Sequence, residues 1–379
     1  MANIEGRLQE RDAWLALGLI PDVGAATFHR LVQALGSAEA VLGAKAEALE
    51  QVPGISQQIA RAVARFPWRD ALDRELRVIE TRGLGLVRFG DERYPELLAA
   101  IYSPPPVLYL RGTIQPKDRV AVAIVGSRKA TPYGSAMAEQ ISGELAERGV
   151  TIVSGMARGI DAAAHRGALD AAGRTIAVLG CGLGVTYPPE HAELADRIAA
   201  QGALISEFPI FTPPKPGHFP RRNRIISGLA RGVVVIEAGL ESGALITANY
   251  ALEQGREVFA VPGQATSRSS SGCHQLIKAG AKLTEGWEDI WEELEPQLTL
   301  PTQAGRDVTC ASPPLEQDEI LIVDTLEAGP LQIDDLIDRT QLPAGKMASL
   351  LLSLMLKGMI EELPGKSFAK RLRPIKHGV

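Results

Sequence analysis

Six short apolar runs, rich in β-branched residues, recur from residue 120 onward, at 120–125, 150–153, 175–179, 203–206, 233–236 and 257–260. Between most of them, apolar positions return at helical spacing, over 135–147, 161–171, 189–200 and 242–254. Short strands alternating with helices predict right-handed crossovers and an α/β fold, a Rossmann-like, doubly wound, mostly parallel sheet. Ligands of such sheets sit beyond the carboxyl ends of the strands, so those loops are the place to look for chemistry.

The pattern divides the rest of the chain. Residues 1–66 read as a domain of short helices. Two segments in it look alike, Leu19-Ile20-Pro21-Asp22-Val23-Gly24 and Gln51-Val52-Pro53-Gly54-Ile55-Ser56, each a Pro/Gly turn followed by an apolar helix (Phe28, Leu31, Val32; then Ile59, Val63). They resemble helix-hairpin-helix (SAM-like) units. The hairpins carry few basic residues, which favours a plain helical bundle over turns that grip DNA phosphate. Residues 67–118 read as a connector joining the sheet, with strands at 85–89 and 107–110 and a rigid Ser103-Pro104-Pro105-Pro106 piece. The Rossmann-like domain spans 119–294, and 295–316 is a polar, proline-containing linker. Residues 317–379 then show helices at 320–326, 334–339 and 343–357 and a β wing at 358–365, the order of a C-terminal winged-helix domain.

Composition narrows the classes. The chain has 379 residues, 45% hydrophobic and 22% charged, with no apolar stretch of membrane-span length. Its start lacks a basic region followed by an apolar core, the mark of a secretion signal. Cys181, Cys273 and Cys310 are odd in number and far apart, which fits neither a disulfide framework nor a zinc site. The expectation is a reduced, cytoplasmic protein without membrane, metal or cofactor. Charge is slightly acidic, 40 Lys+Arg against 45 Asp+Glu, so any strong basic cluster is local.

One such cluster exists. Phe219-Pro220-Arg221-Arg222-Asn223-Arg224 places three guanidinium groups where a helix begins, and forked donors beside a helix amino end suit phosphate. Arg221 and Arg224, three apart, share a helical face; Arg222 is then structural or exposed, and Asn223 a cap or loop-fixing residue. The proline-stiffened loop before it carries Lys215 and His218. The first parallel strand ends in Gly126-Ser127-Arg128-Lys129-Ala130-Thr131, whose small residues, hydroxyls and charges also suit a phosphate, with a helix opening at Pro132. The second ends in Ser154-Gly155-Met156-Ala157-Arg158, where a dinucleotide fold would carry a ribose-binding acid; NAD binding is disfavoured. Asp161 and His165, one turn apart, read as structural hydrogen-bonding residues rather than an acid/base pair. Three alternating glycines (Gly180, Gly182, Gly184) allow close approach of a ligand or another loop, Tyr187 reads as core before it reads as a stacking platform, and Cys181 lacks a flanking base. The fifth loop puts Ser242-Gly243 at another helix start, with Glu237 and Glu241 placed to pair with the arginines.

In combination and order, these loops resemble the DNA-processing protein A (DprA, also called Smf) family. The resemblance rests on Val125-Gly126-Ser127-Arg128, Ser154-Gly155 with Gly159-Ile160-Asp161 and His165, Ile205-Ser206-Glu207, Phe219-Pro220 through Gly228-Leu229, Glu237 with Ser242-Gly243, and Val261-Pro262-Gly263. It covers about residues 85 to 290 closely and the flanking domains loosely. The resemblance implies a homodimeric binder of single-stranded DNA that loads RecA recombinase on incoming DNA during natural transformation. It implies DNA or phosphate contacts at Gly126, Ser127, Arg128, Lys215 and the Arg221–Arg224 segment; Lys129, Thr131, Ser154, Gly155, Arg158, Ser242 and Gly243 join them as candidates from the loop reading. The third winged helix offers only Lys346 and Lys357, and the wing carries Glu361 and Glu362, so duplex reading there is disfavoured.

Two other readings stand beside this one. A related-looking Rossmann-like group cleaves nucleoside monophosphates through a Gly-Gly-x-Gly-Thr-x-x-Glu loop, but the corresponding Gly239–Thr247 stretch shows no matching carboxylate, so no catalytic constellation is expected. A small-nucleotide sensor is the third.

Overall fold

The computed structural model describes residues 8–299 and, beyond them, parts of 318–370. The start of the chain, the expected linker from residue 300 on, Cys310 and the Pro364-Gly365 turn of the expected wing lie outside the described residues. The chain divides into two compact units, Met1–Leu300 and Pro301–Val379.

In the first unit one nine-stranded sheet organises everything. The strands are β1 (Gly85–Arg88), β2 (Val107–Gly112), β3 (Ala121–Val125), β4 (Thr151–Ser154), β5 (Thr175–Val178), β6 (Ala203–Ser206), β7 (Gly232–Val235), β8 (Glu257–Ala260) and β9 (Lys282–Leu283). Their spatial order is β1-β2-β6-β5-β4-β3-β7-β8-β9. β3 through β9 pair in parallel, and β1 and β2 close one edge antiparallel. From β3 the chain winds outward through β4, β5 and β6, then returns to lay β7 on the other side of β3. That reversal opens a crevice at the carboxyl ends of β3 and β7.

The continuous apolar character of the strands follows from burial on both faces. In β3, Val122 and Ile124 point to a core with Ile141 and Leu145 of α8 (Pro132–Glu147), Ile160 of α9 (Ile160–Asp170) and Ile290 of the helix Trp287–Thr299. Ala123 and Val125 point the other way, to Ile225, Ile226 and Leu229 of α11 (His218–Leu229) and Ala244, Ala248 and Ala251 of α12 (Gly243–Glu253). The helix between β5 and β6 begins at Ala192, later than its apolar spacing predicts, because Pro189–His191 forms a separate 3-10 turn. α8 opens at Pro132 as its sequence predicts, with the Thr131 hydroxyl as cap.

Among the described residues six helices precede the sheet, from Glu10–Gly18 to Trp68–Thr81. Phe28, Leu31, Val41, Leu49 and Val63 form their core, which continues onto Val107 and Tyr109 of β2 and onto Ile210. The last of these helices lies within the expected connector. Its apolar positions, Trp68, Leu72, Leu76 and Ile79, recur at helical spacing and pack into the same core.

The second unit has the antiparallel order β10 (Leu331–Gln332), β12 (Ser367–Lys370), β11 (Ile360–Leu363) and a helix, Ile333–Thr340. Ile322, Leu326, Leu336, Met347, Leu350, Leu351, Leu354 and Phe368 form its core. Ile360–Leu363, within the wing expected at 358–365, pairs with Ser367–Lys370, which lies beyond those bounds, and Lys346 of the expected third helix is paired with Asp318.

Candidate functional site

A cleft of about 760 Å³ opens at the sheet's switch point. One wall is the loop after β3, residues Gly126 to Lys129. The opposite wall is the loop after β7 and the start of α12, from Gly239 to Thr247, and α11 with the prolines before it forms the floor and rim.

Hydrogen bonds between strand ends hold these walls. The amide of Ser127 donates to the Glu237 carbonyl at 2.7 Å, and the Ser127 carbonyl accepts from the amide of Ile160 at 3.1 Å. The Ser127 hydroxyl accepts from the Lys129 amide at 3.1 Å and shapes the turn. Arg128 and Lys129 then stand exposed, and neither has a carboxylate within ion-pair distance among the described residues. Arg128 lies over the ring of Phe219, 5.2 Å from its centroid, which limits its rotamers without neutralising it. Opposite, Ser242 caps α12 by accepting from the Ala244 amide at 3.3 Å, so that helix presents its amino end to the cleft.

The floor is a buried guanidinium held by main-chain carbonyls. Arg222 is 3% exposed and donates to the carbonyls of Gly155, at 2.7 Å, and of Val178, and to Oδ1 of Asn223, at 3.2 Å. A Cβ on Gly155 would lie 2.6 Å from this guanidinium, so the residue must be glycine for Arg222 to fit. Burial pushes the Arg222 pKa down to about 10, against the pull of Asp161, with Arg128 lowering it further. Asp161 is buried beside it; desolvation raises its pKa and the charge of Arg222 opposes the rise. Asp161 also accepts from the Ala157 amide at 3.3 Å. Asn223 donates to the Gly243 carbonyl at 3.2 Å and ties α11 to α12 across the cleft.

The arginine cluster splits by helical face. Arg221 and Arg224 do share a face, as their spacing predicts, but that face holds Glu207. The Glu207 side chain is 2% exposed and takes a bidentate pair from Arg221, at 3.1 and 3.0 Å, and a third bond from Arg224 at 2.6 Å. Arg224 also donates to the Ser103 carbonyl at 2.8 Å. Arg222, one position around the helix, is the arginine that reaches the cleft. The expected pairing of Glu237 or Glu241 with arginine is absent among the described residues: Glu237 bonds Thr131, and Glu241 stands exposed on the rim.

The structure therefore brings Gly126, Ser127, Arg128, Lys129, Arg222, Asn223, Ser242 and Gly243 to one cleft. Lys215 is exposed on the adjoining loop, whose neighbours Pro214 and Pro216 line the cleft. The other candidates lie outside it. Thr131 caps α8, the Ser154 hydroxyl is buried and donates to the Ile124 carbonyl at 2.6 Å, Gly155 sits beneath Arg222, and Arg158 pairs with Glu190. His165 is buried against Thr175, 2.6 Å away, as a structural residue. Tyr187 is half-buried and packs on Phe219 with centroids 5.6 Å apart, while also lining the cleft. The close approach allowed by Gly182 and Gly184 is by another loop: their amides donate to the carbonyls of Thr212 and Ile210. Burial raises the Cys181 thiol to about 11, which leaves it a poor nucleophile. Sequence reasoning missed Glu207 as counter-ion; the available signal was an acid placed directly after a buried strand, 17 residues before Arg224. No group of metal-ligating side chains occurs, and no helix is long and apolar enough to cross a membrane, among the described residues.

Comparison with known proteins agrees with this architecture. Residues 85–295 match the family of DNA recombination-mediator protein A, 309–366 the DprA winged helix domain, and 12–73 the helix-hairpin-helix motif. The chain is 40% identical to Protein Smf of Escherichia coli (strain K12) over 325 residues, 83% of this chain and 85% of that protein. The X-ray structure of DNA processing protein A from Streptococcus pneumoniae superposes with a TM-score of 0.66 at 33% identity, covering 74% of this chain and 97% of that one. DNA processing protein A from Helicobacter pylori, studied for its single-stranded DNA binding mode, superposes with a TM-score of 0.51 at 29% identity, covering 56% of this chain and 96% of that one. With more than half of its length matched to one family and a relative at 40% identity covered over most of its length, the chain belongs to the DNA recombination-mediator protein A (DprA/Smf) family.

Proposed function

We propose that this protein binds single-stranded DNA along the switch-point cleft and acts as a recombination mediator, loading RecA on incoming DNA during natural transformation, without itself breaking bonds. The observation that carries the reading is the pair Arg128 and Lys129, exposed and unneutralised beside the Ser127 turn and facing the amino end of α12. Such a wall offers charge and main-chain donors to a phosphodiester chain. Family membership, and the Helicobacter pylori relative with its described single-strand binding, support the same assignment. Phosphate contacts fall to Gly126, Ser127, Arg128, Lys129 and Gly243, with Lys215 as an arm from the neighbouring loop. Arg222, Asn223 and Asp161 set the floor. Phe219 and Tyr187 are the aromatic rings at hand for base stacking, few enough that sequence preference should be weak. A homodimer belongs to the same proposal.

The test is binding of a labelled oligodeoxythymidylate and of a matched duplex across salt, with nucleoside monophosphate turnover and RecA-driven strand exchange measured in parallel. Tight, salt-dependent single-strand binding, no turnover and faster RecA assembly support the reading. Turnover of a nucleoside monophosphate would replace it with the enzymatic one. Sedimentation velocity reads the dimer.

A further inference from the structure

In open α/β sheets the helix after the first strand at the switch point often receives a nucleotide phosphate on its amino end. Here that end is filled from within. Thr131 is the N-cap of α8, and its hydroxyl accepts from the Gly134 amide at 3.1 Å. The reciprocal half of a capping box is a carboxylate three residues on, folded back onto the N-cap amide. That position is Gly134, which has no side chain to give. Glu237, from the loop after β7, supplies it instead: its Oε2 accepts from the Thr131 amide at 2.9 Å and from the Thr131 hydroxyl at 3.1 Å.

The fit is specific on both sides. A Cβ on Gly134 would overlap Oε2 of Glu237, so the glycine clears the space that the foreign carboxylate enters. Glu237 is 3% exposed, and its Oε1 is buried with no hydrogen-bond partner among the described residues. Its carbonyl accepts from the Ser127 amide, so the residue is anchored to the phosphate-facing loop at its main chain as well as its side chain. The Thr131 donors are therefore already taken by a side-chain carboxyl, and no arginine or lysine forms an ion pair with Glu237 among the described residues.

We infer that Glu237 is a built-in anion seated on the amino end of α8, and that it determines specificity by denying this seat to the phosphate of a free nucleotide or dinucleotide. A phosphate entering there would lose the Thr131 donors to the carboxylate and meet a like charge. A polymeric phosphodiester, held further out by Ser127, Arg128 and Lys129 and by many contacts at once, does not need the seat. The preference for polymer rests on the function proposed above; the occupied seat does not.

The experiment has two arms. Thermal unfolding of wild type, Glu237→Ala and Glu237→Gln is followed in chloride, formate and phosphate at matched ionic strength and pH. Wild type should be indifferent to the anion. Glu237→Ala should melt lower and recover selectively in formate, which replaces the deleted carboxylate, whereas Glu237→Gln, still filling the space, should not respond. In the second arm AMP and inorganic pyrophosphate compete with a labelled oligodeoxythymidylate. Against wild type they should do no better than chloride of equal ionic strength; against Glu237→Ala they should compete at about tenfold lower concentration. Wild type displaced by AMP beyond the salt effect overturns the inference even if Glu237→Ala does not fold, as does a folded Glu237→Ala with no formate-selective recovery. Failure of wild type to bind the oligonucleotide at all would sink the DNA-binding reading, while the formate arm would still decide the role of Glu237.

Discussion

Replacing Glu207 by alanine separates structural arginines from functional ones. The Glu207 carboxylate is nearly inaccessible and serves two guanidinium groups, Arg224 with its side chain 11% exposed and Arg221 with 43%. Truncation leaves Arg224 buried with the Ser103 carbonyl as its remaining acceptor among the described residues. Removing one partner of a buried pair costs about 3–5 kcal/mol, chiefly through the uncompensated charge left behind. Arg221, released into solvent, adds about 1 kcal/mol or less. The expected loss for Glu207→Ala is therefore about 3–5 kcal/mol, read from the midpoint of urea unfolding at constant slope. Arg221→Ala and Arg224→Ala should each cost less, because Glu207 keeps the other arginine. Neither should flatten the salt dependence of single-strand binding. A Glu207→Ala protein within 1 kcal/mol of wild type, or an Arg224→Ala protein whose log–log salt slope falls by about 0.7, the value of one single-strand phosphate contact, would refute the reasoning.

Three further outcomes follow from the same structure. Burial pushes His165 down to about 3; the unfolded histidine, near 6.5, takes up a proton that the fold excludes, so its contribution is intact above about pH 6.5 and is lost as pH falls toward 3, at about 1.4 kcal/mol per pH unit. His165→Gln should therefore flatten the acid side of the stability profile between those limits, and an unchanged profile would show that the imidazole is not held neutral. Cys181, raised to about 11, should resist iodoacetamide at pH 8 in the native protein and react on unfolding; rapid native labelling would contradict its burial. Removing residues 317–379 should leave most of the single-strand affinity, since the proposed cleft is lined from Val125 to Thr247; near-total loss in titration would place the site in the other unit.

Much of this fold is legible because its strands are buried on both faces. The six apolar runs become β3 to β8 with ends shifted by a residue or so, since nothing in a doubly covered sheet competes with the apolar pattern. Turn chemistry was equally readable at Thr131-Pro132 and Ser242-Gly243. The helix Trp68–Thr81 is harder to read because charged residues dilute its Trp68, Leu72, Leu76, Ile79 stripe. Spacing placed Arg221 and Arg224 on one face correctly, yet it carries no information about what faces them. Glu207 comes from a different strand end, and its pairing is a tertiary fact. Glu237 shows the same limit: as an acid near arginines it suggested an ion pair, whereas the glycine at 134 gives it a helix cap to complete. Glycines and counter-ions drawn from separate loops decide this site, and their partners emerge once the sheet order is known.

In the proposed complex Arg128 and Lys129 grip the phosphate chain. Equilibrium binding of an oligodeoxythymidylate to wild type and to Arg128→Ala/Lys129→Ala, measured from low to moderate salt, tests it most directly. Two lost contacts should weaken binding and reduce the slope of log affinity against log salt by about 1.4, with thermal unfolding unchanged. Equal slopes and affinities in a folded double variant would contradict it.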